Sequence, residues 1–181
     1  MDPEKGGLSW AGGRITKASE DIDKYAFFLS KDEVPFGCFS NAFRESGEGH
    51  VGLIGSSSVE AAVECVPRFW CVNQELHYRK AKLFGDDDVA DLILAETEDA
   101  GKIKQLGRTV RGYDDDKWAT VRYGVARDAV HAKFANDDRL GKILVDTGSK
   151  MIIEAAADNV WGVGVLEWST EERRGIRRRN T

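Results

Sequence analysis

Residues 158–165 read Asp-Asn-Val-Trp-Gly-Val-Gly-Val. A carboxylate, an aromatic ring and two glycines within eight positions can build a ligand site. Asp158 can stabilise positive charge or position a water, Trp161 can line a pocket, and Gly162 lets backbone approach a bound group. The same residues also suit a tight turn that tucks Trp161 into the core, with Asp158 capping it. Glu154 lies just upstream in an apolar strand, where a buried structural partner is an equal reading.

A second group lies in residues 73–84, "NQELHYRKAKLF". At about 100° per residue, Asn73, His77 and Lys80 share one helix face, and Glu75 points about 200° away from Asn73. Glu75 and Arg79 then form an i,i+4 surface pair. Asn73 can donate and accept hydrogen bonds but cannot take up a proton. His77 is either a hydrogen-bonded packing histidine or a proton carrier. Lys80 and Arg108 each suit a phosphate contact or an internal acid. Ser40 and Asn41 follow Phe39 in "FSN", short polar residues after an aromatic that fit an ordinary turn. Phe39 is a stacking ring or a core residue.

These groups need elements to hold them. "KYAFFLS" (24–30) and "RFWCV" (68–72) read as strands. "PFGCFSNAF" (35–43) reads as an irregular loop because of Pro35 and Gly37. "ESGEGHVGLIGSSS" (45–58) reads as a surface excursion. Asn73 sits where a helix N-cap belongs, and Gly85 ends that helix. "DDDVADLILAETE" opens a second helix on acids that suit its positive end. "AGKIKQLGR" is a third. The longest spans 114–137, with Trp118, Val121, Val125, Ala129 and Ala132 as its apolar stripe. A further helix ends near Gly148, and "KMIIEAA" is a last strand. The fold class is α+β, mostly helical, with a few short strands.

The chain has 181 residues and a formal net charge of −5, so its body is not a basic nucleic-acid binder. Five arginines between Arg173 and Arg179 form a basic tail. Cys38, Cys65 and Cys71 lack disulfide or zinc spacing. No apolar run approaches the ~20 residues that span a bilayer. With no signal-peptide pattern at the start, an intracellular location, cytoplasmic or nuclear, is the expectation. Residues 1–24 read as a partly loose segment, 25–170 as one domain and 171–181 as the tail.

Taken in order, "FGCFSNAF", "KAKLFGD", "LGR", "AKF", "LVDTG" and "IIEAAADNVWGVGV" resemble the NADAR (YbiA-like) family. The resemblance runs from about Phe27 to Val165. It implies a mostly helical α+β fold and hydrolysis of a bond between ribose C1 and a nitrogen. The implied substrates are ADP-ribosylated guanine in nucleotides or nucleic acid, or phosphorylated pyrimidine intermediates of riboflavin synthesis. A non-catalytic ADP-ribose-binding or nucleotide-binding module is the third reading. No cofactor, metal or membrane partner is implied, and the oligomeric state is open.

Residue by residue, the resemblance makes Asp158 the functional carboxylate, with Asn73 and Glu75 as further catalytic candidates. It makes Phe39, Ser40, Asn41, His77, Lys80, Arg108, Trp118, Trp161 and Gly162 substrate-binding residues. Asn73 stands where the family carries a glutamate. A carboxylate suits the oxocarbenium-like charge that develops when a ribose C1–N bond breaks.

Overall fold

The computed structural model describes residues 24–28, 30–52 and 67–154. Asp158, Trp161, Gly162, Cys65 and the basic tail lie outside the described residues, as does all but the last residue of the N-terminal segment.

Five helices carry the fold: α1 (Val72–Leu83), α2 (Asp87–Ala95), α3 (Ala100–Arg108), α4 (Asp115–Asn136) and α5 (Asp138–Asp146). Four short strands accompany them: β1 (Tyr25–Phe28), β2 (His50–Val51), β3 (Arg68–Phe69) and β4 (Met151–Glu154). β1 pairs in parallel with β4, placing Tyr25 opposite Met151 and Phe28 opposite Glu154. β2 pairs antiparallel with β3. The chain is α+β, as its sequence suggests.

Aspartates set the helix starts. Asp86, Asp99, Asp114 and Asp137 each accept a backbone N–H from the first turn of α2, α3, α4 and α5. A short side chain with a free carboxylate satisfies the orphan donors there and favours the positive end of the helix dipole. α1 is the exception. It starts one residue before Asn73, at Val72, with Cys71 as N-cap and no capping side chain. The sequence placed the cap at Asn73, whereas Asn73 lies inside the first turn.

The core has two parts. Trp70, Cys71, Ala81, Val89, Ala90, Ile93, Ile103 and Val110 join α1, α2 and α3. Leu76 of α1 meets Trp118, Val125 and Ala126 of α4. Gln74 ties α1 to the end of α2, its amide donating to the carbonyls of Ile93, Leu94 and Glu96. The stripe on α4 is narrower than its spacing suggests: Val121 is exposed, while Trp118, Val125, Ala129 and Ala132 are buried.

Three local expectations change. "PFGCFSNAF" contains a 3-10 helix over Phe36–Phe39, not only loop. "RFWCV" is strand only at Arg68–Phe69, because Val72 begins α1. The described part of the 45–58 excursion does not all lie on the surface, since Glu45 and His50 are buried. Pairing of β2 with β3 folds His50 inward, which no local pattern in a glycine-rich stretch reveals.

Candidate active site

The missing cap on α1 explains how the site assembles. The first turn of a helix has backbone donors with no intrahelical partner. Asn73 donates its backbone N–H to the carbonyl of Asn41 at 2.9 Å. The "FSN" loop therefore does the work of the absent cap and is fixed against α1. Relieved of capping, the Asn73 side chain is buried, and its Nδ2 finds no hydrogen-bond partner among the described residues.

Lys133 of α4 holds the same loop through Ser40. This lysine is 1% exposed on α4, and its Nζ donates to the Ser40 carbonyl at 3.0 Å. The rings of Phe43 and Phe134 flank the ammonium at 5.2 and 5.3 Å. Burial pushes its pKa down to about 8, against the attraction of Glu45. Lys133 did not emerge as a site candidate from sequence. Its signal was a lysine in "AKF" on the buried side of an otherwise apolar stripe.

Glu75 is fully buried rather than part of a surface pair. One oxygen accepts from Arg79 at 3.1 Å, so the expected i,i+4 pair exists. The other oxygen lies 2.8 Å from Nε2 of His50. Nδ1 of His50 lies 2.7 Å from Glu45. Both ring nitrogens thus face carboxylates. Burial alone would lower the pKa of His50, but its hydrogen bonds to Glu45 and Glu75 overcome this and raise the value to about 9. His50 is therefore an imidazolium donating to two acids at neutral pH. Gly52 makes the close approach possible: a Cβ there would lie 2.9 Å from the Phe69 ring and 3.1 Å from the Glu75 carboxylate. With its lone pairs engaged, Glu75 binds the 45–52 segment to α1.

His77 and Lys80 follow Asn73 along α1 and face α3. His77 packs onto Gly107, where a Cβ would lie 2.2 Å from Nδ1. That Nδ1 is buried without a partner among the described residues. Burial first, then the charges of Lys80, Lys104 and Arg108, hold the His77 pKa down to about 4. The ring is neutral at pH 7, which suits hydrogen bonding but not delivery of a proton as an imidazolium. Lys80 donates to the Gly107 carbonyl at 2.8 Å and lies 4.0 Å from the centre of the Tyr113 ring. Arg108 is exposed at the end of α3.

Two aromatic candidates have firm structural employment. Trp118 is buried in the α1–α4 contact. Phe39 stacks on Phe36 at 5.8 Å and meets Phe134 at 5.7 Å. The structure therefore brings Ser40, Asn41 and Asn73 together, places His77 and Lys80 farther along α1, and turns Glu75 toward His50.

The NADAR domain profile matches residues 27–180, and the chain belongs to this family. An N-glycosidase of Acanthamoeba polyphaga mimivirus is 30% identical over 148 residues, covering 80% of this chain and 81% of the viral protein. Protein irg-1 of Caenorhabditis elegans is 34% identical over 101 residues, covering 54% of this chain and 47% of the worm protein. The family and the viral relative support N-glycosidase chemistry in general, and so a hydrolase.

Proposed function

We propose that this protein hydrolyses the bond between ribose C1 and a guanine nitrogen, releasing ADP-ribose from ADP-ribosylated guanine. The observation that carries the reading is the junction of the "FSN" loop with the first turn of α1. There Asn41 accepts from Asn73, and Asn73 keeps a buried amide N–H without a partner among the described residues. A buried donor left unmatched costs about 1–3 kcal/mol, and a ribose hydroxyl or a water held there would recover it.

In this reading Asn73 orients the ribose or the attacking water. Asp158 supplies the negative charge that stabilises the developing oxocarbenium ion. Water adds to C1, the C1–N bond breaks, and guanine leaves with its electron pair and a proton. Neutral His77 contributes hydrogen bonds rather than acid catalysis. The Glu45–His50–Glu75 chain keeps α1 in register with the loop.

The test is incubation with ADP-ribosylated guanosine and, separately, with phosphorylated ribosylaminopyrimidines, followed by chromatography. Release of ADP-ribose together with guanosine or guanine according to the linkage is the expected result. Cleavage of the pyrimidine compounds alone would assign the riboflavin-type activity instead. Binding of ADP-ribose without cleavage of either substrate would make the protein a binding module.

A further inference from the structure

Two segments meet at the candidate site, and each brings one carboxylate to the same imidazole. The loop supplies Asn41 and, four residues on, Glu45. Helix α1 supplies Asn73 and, two residues on, Glu75. Asn41 accepts from the Asn73 backbone N–H at 2.9 Å. Beside that bond, His50 spans the same two segments, with Nδ1 2.7 Å from Glu45 and Nε2 2.8 Å from Glu75. All three side chains are buried.

Charges from the neighbouring elements extend the bridge. Arg79 of α1 donates to the second oxygen of Glu75 at 3.1 Å, and Asp128 of α4 lies 3.9 Å from Arg79. Lys133 of α4 attracts Glu45 while donating to the Ser40 carbonyl. β3 presents an uncharged ring, Phe69, at 5.9 Å from the imidazole. An imidazolium has two N–H donors, and a neutral imidazole has one. With both nitrogens donating, both acids are satisfied. Loss of one proton sets a ring lone pair against a carboxylate at 2.7 or 2.8 Å, in a place closed to solvent. That contact is repulsive and drives the loop and α1 apart. Movement of Glu75 is movement of Asn73, because both lie in the first turn of α1. A misplacement of about 1 Å at a reacting centre can cost on the order of 10²-fold in rate.

We propose that His50 is a positioning residue for the reaction: by donating from both ring nitrogens it ties the Asn41 loop to the first turn of α1 and so aims the unmatched Asn73 amide. Glu45 and Glu75 are its two anchors and stay outside the chemistry. This role rests on the proposed placement of Asn73 at the ribose, whichever base departs.

The experiment compares kcat, KM, melting temperature and pH profile in the full chain and three variants. His50→Leu removes both donors and should lower kcat by about ten-fold or more, with KM little changed. Ile103→Ala opens the core on α3, outside the bridge, and should lower the melting temperature while leaving kcat near wild type. Glu45→Gln is the conservative rescue, since its amide can donate to a neutral His50 whose other N–H still reaches Glu75. It should hold kcat within a few-fold of wild type at pH 7. The His50 pKa is raised to about 9, so wild-type kcat should fall as pH rises through that value, after an earlier step from Lys133 near 8. Glu45→Gln should lack the fall near 9. Wild-type kcat in folded His50→Leu, or an equal loss in Ile103→Ala, would overturn the proposal. So would the same fall near pH 9 in wild type and Glu45→Gln, a comparison that holds even where His50→Leu does not fold. If wild type cleaves neither substrate, NMR signals of the Asn73 side-chain amide carry the test. Shifts that follow His50 protonation in wild type but not in Glu45→Gln would retain the positioning role and remove the proposed reaction. Signals indifferent to His50 would remove both.

Discussion

The imidazole of His50 is held between Glu45 and Glu75, at 2.7 and 2.8 Å, with none of the ring reaching solvent. Arg79 continues the chain on the far side of Glu75, and Asp128 lies 3.9 Å beyond on α4. Alternating charges thus bind the 45–52 segment, α1 and α4. Removing one member leaves a buried charge uncompensated, which typically costs about 3–5 kcal/mol.

His50→Gln should therefore lower the melting temperature by roughly 10 °C, at about 2–4 °C per kcal/mol for a domain of this size. It should also alter the pH dependence of stability. The raised pKa of His50 gives stabilisation fully present below its unfolded value and lost as pH rises through about 9. Lys133, with its pKa lowered to about 8, changes stability in the opposite sense above that pH. Denaturant melts of wild type and variant should thus converge as pH rises, with the slope between pH 6.5 and 8 as the cleanest readout. Parallel stability curves across that range would show that His50 does not titrate this way.

His77 should act at the acid end. Its pKa is lowered to about 4, so below pH 6.5 the unfolded chain takes up a proton that the folded chain refuses. Stability is expected to fall from pH 6.5 toward 4 through this group. His77→Gln should flatten that decline in urea melts, and an unchanged acid slope would contradict the assignment.

Gly107→Ala places a methyl group where Nδ1 of His77 lies 2.2 Å away. Overpacking of this kind costs about 1–3 kcal/mol. The variant should melt at lower temperature and, because His77 and Lys80 share that contact, bind ADP-ribose more weakly. Wild-type stability and affinity would mean the α1–α3 contact is looser than the structure shows.

Asn73→Glu tests whether a carboxylate belongs at this position, as the family resemblance implies. A positioned acid or base is worth roughly 10² to 10⁴ in rate, so restoring a carboxylate should raise turnover of ADP-ribosylated guanosine by at least about ten-fold. Loss of ADP-ribose binding in this variant would instead make Asn73 a sugar ligand. No change in rate or affinity would place Asn73 outside the site.

Asp158→Ala should abolish turnover while leaving the melting temperature close to that of wild type. The resemblance at Asp158-x-x-Trp161-Gly162 and the charge demanded by the transition state motivate this. Full activity in a folded Asp158→Ala protein would remove the carboxylate from the mechanism.

Much of the helical frame could be read locally. Aspartates before α2, α3, α4 and α5 mark starts that depend only on neighbouring backbone. Gly85, at φ 71°, closes α1 for an equally local reason. The start of α1 could not be found this way, because its donor is satisfied by Asn41, distant in sequence. Glu75 was misread as surface for a related reason. Helix spacing locates a face, but only the pairing of β2 with β3 brings His50 onto it. Lys133 was not singled out, because its burial against the Ser40 carbonyl depends on a partner distant in sequence. Asp158, Trp161 and Gly162 were legible as a motif, and their placement lies outside the described residues.

The parallel pairing of β1 with β4 bears on the order of folding. Tyr25 meets Met151 across nearly the whole described chain, whereas the turns of α1 to α5 close over a few residues. Contacts of such long sequence separation carry a large loop-closure cost and tend to form late. Asp158 follows β4 by only four residues. During refolding, helical circular dichroism should return before glycosidase activity, with a helical but inactive species between them.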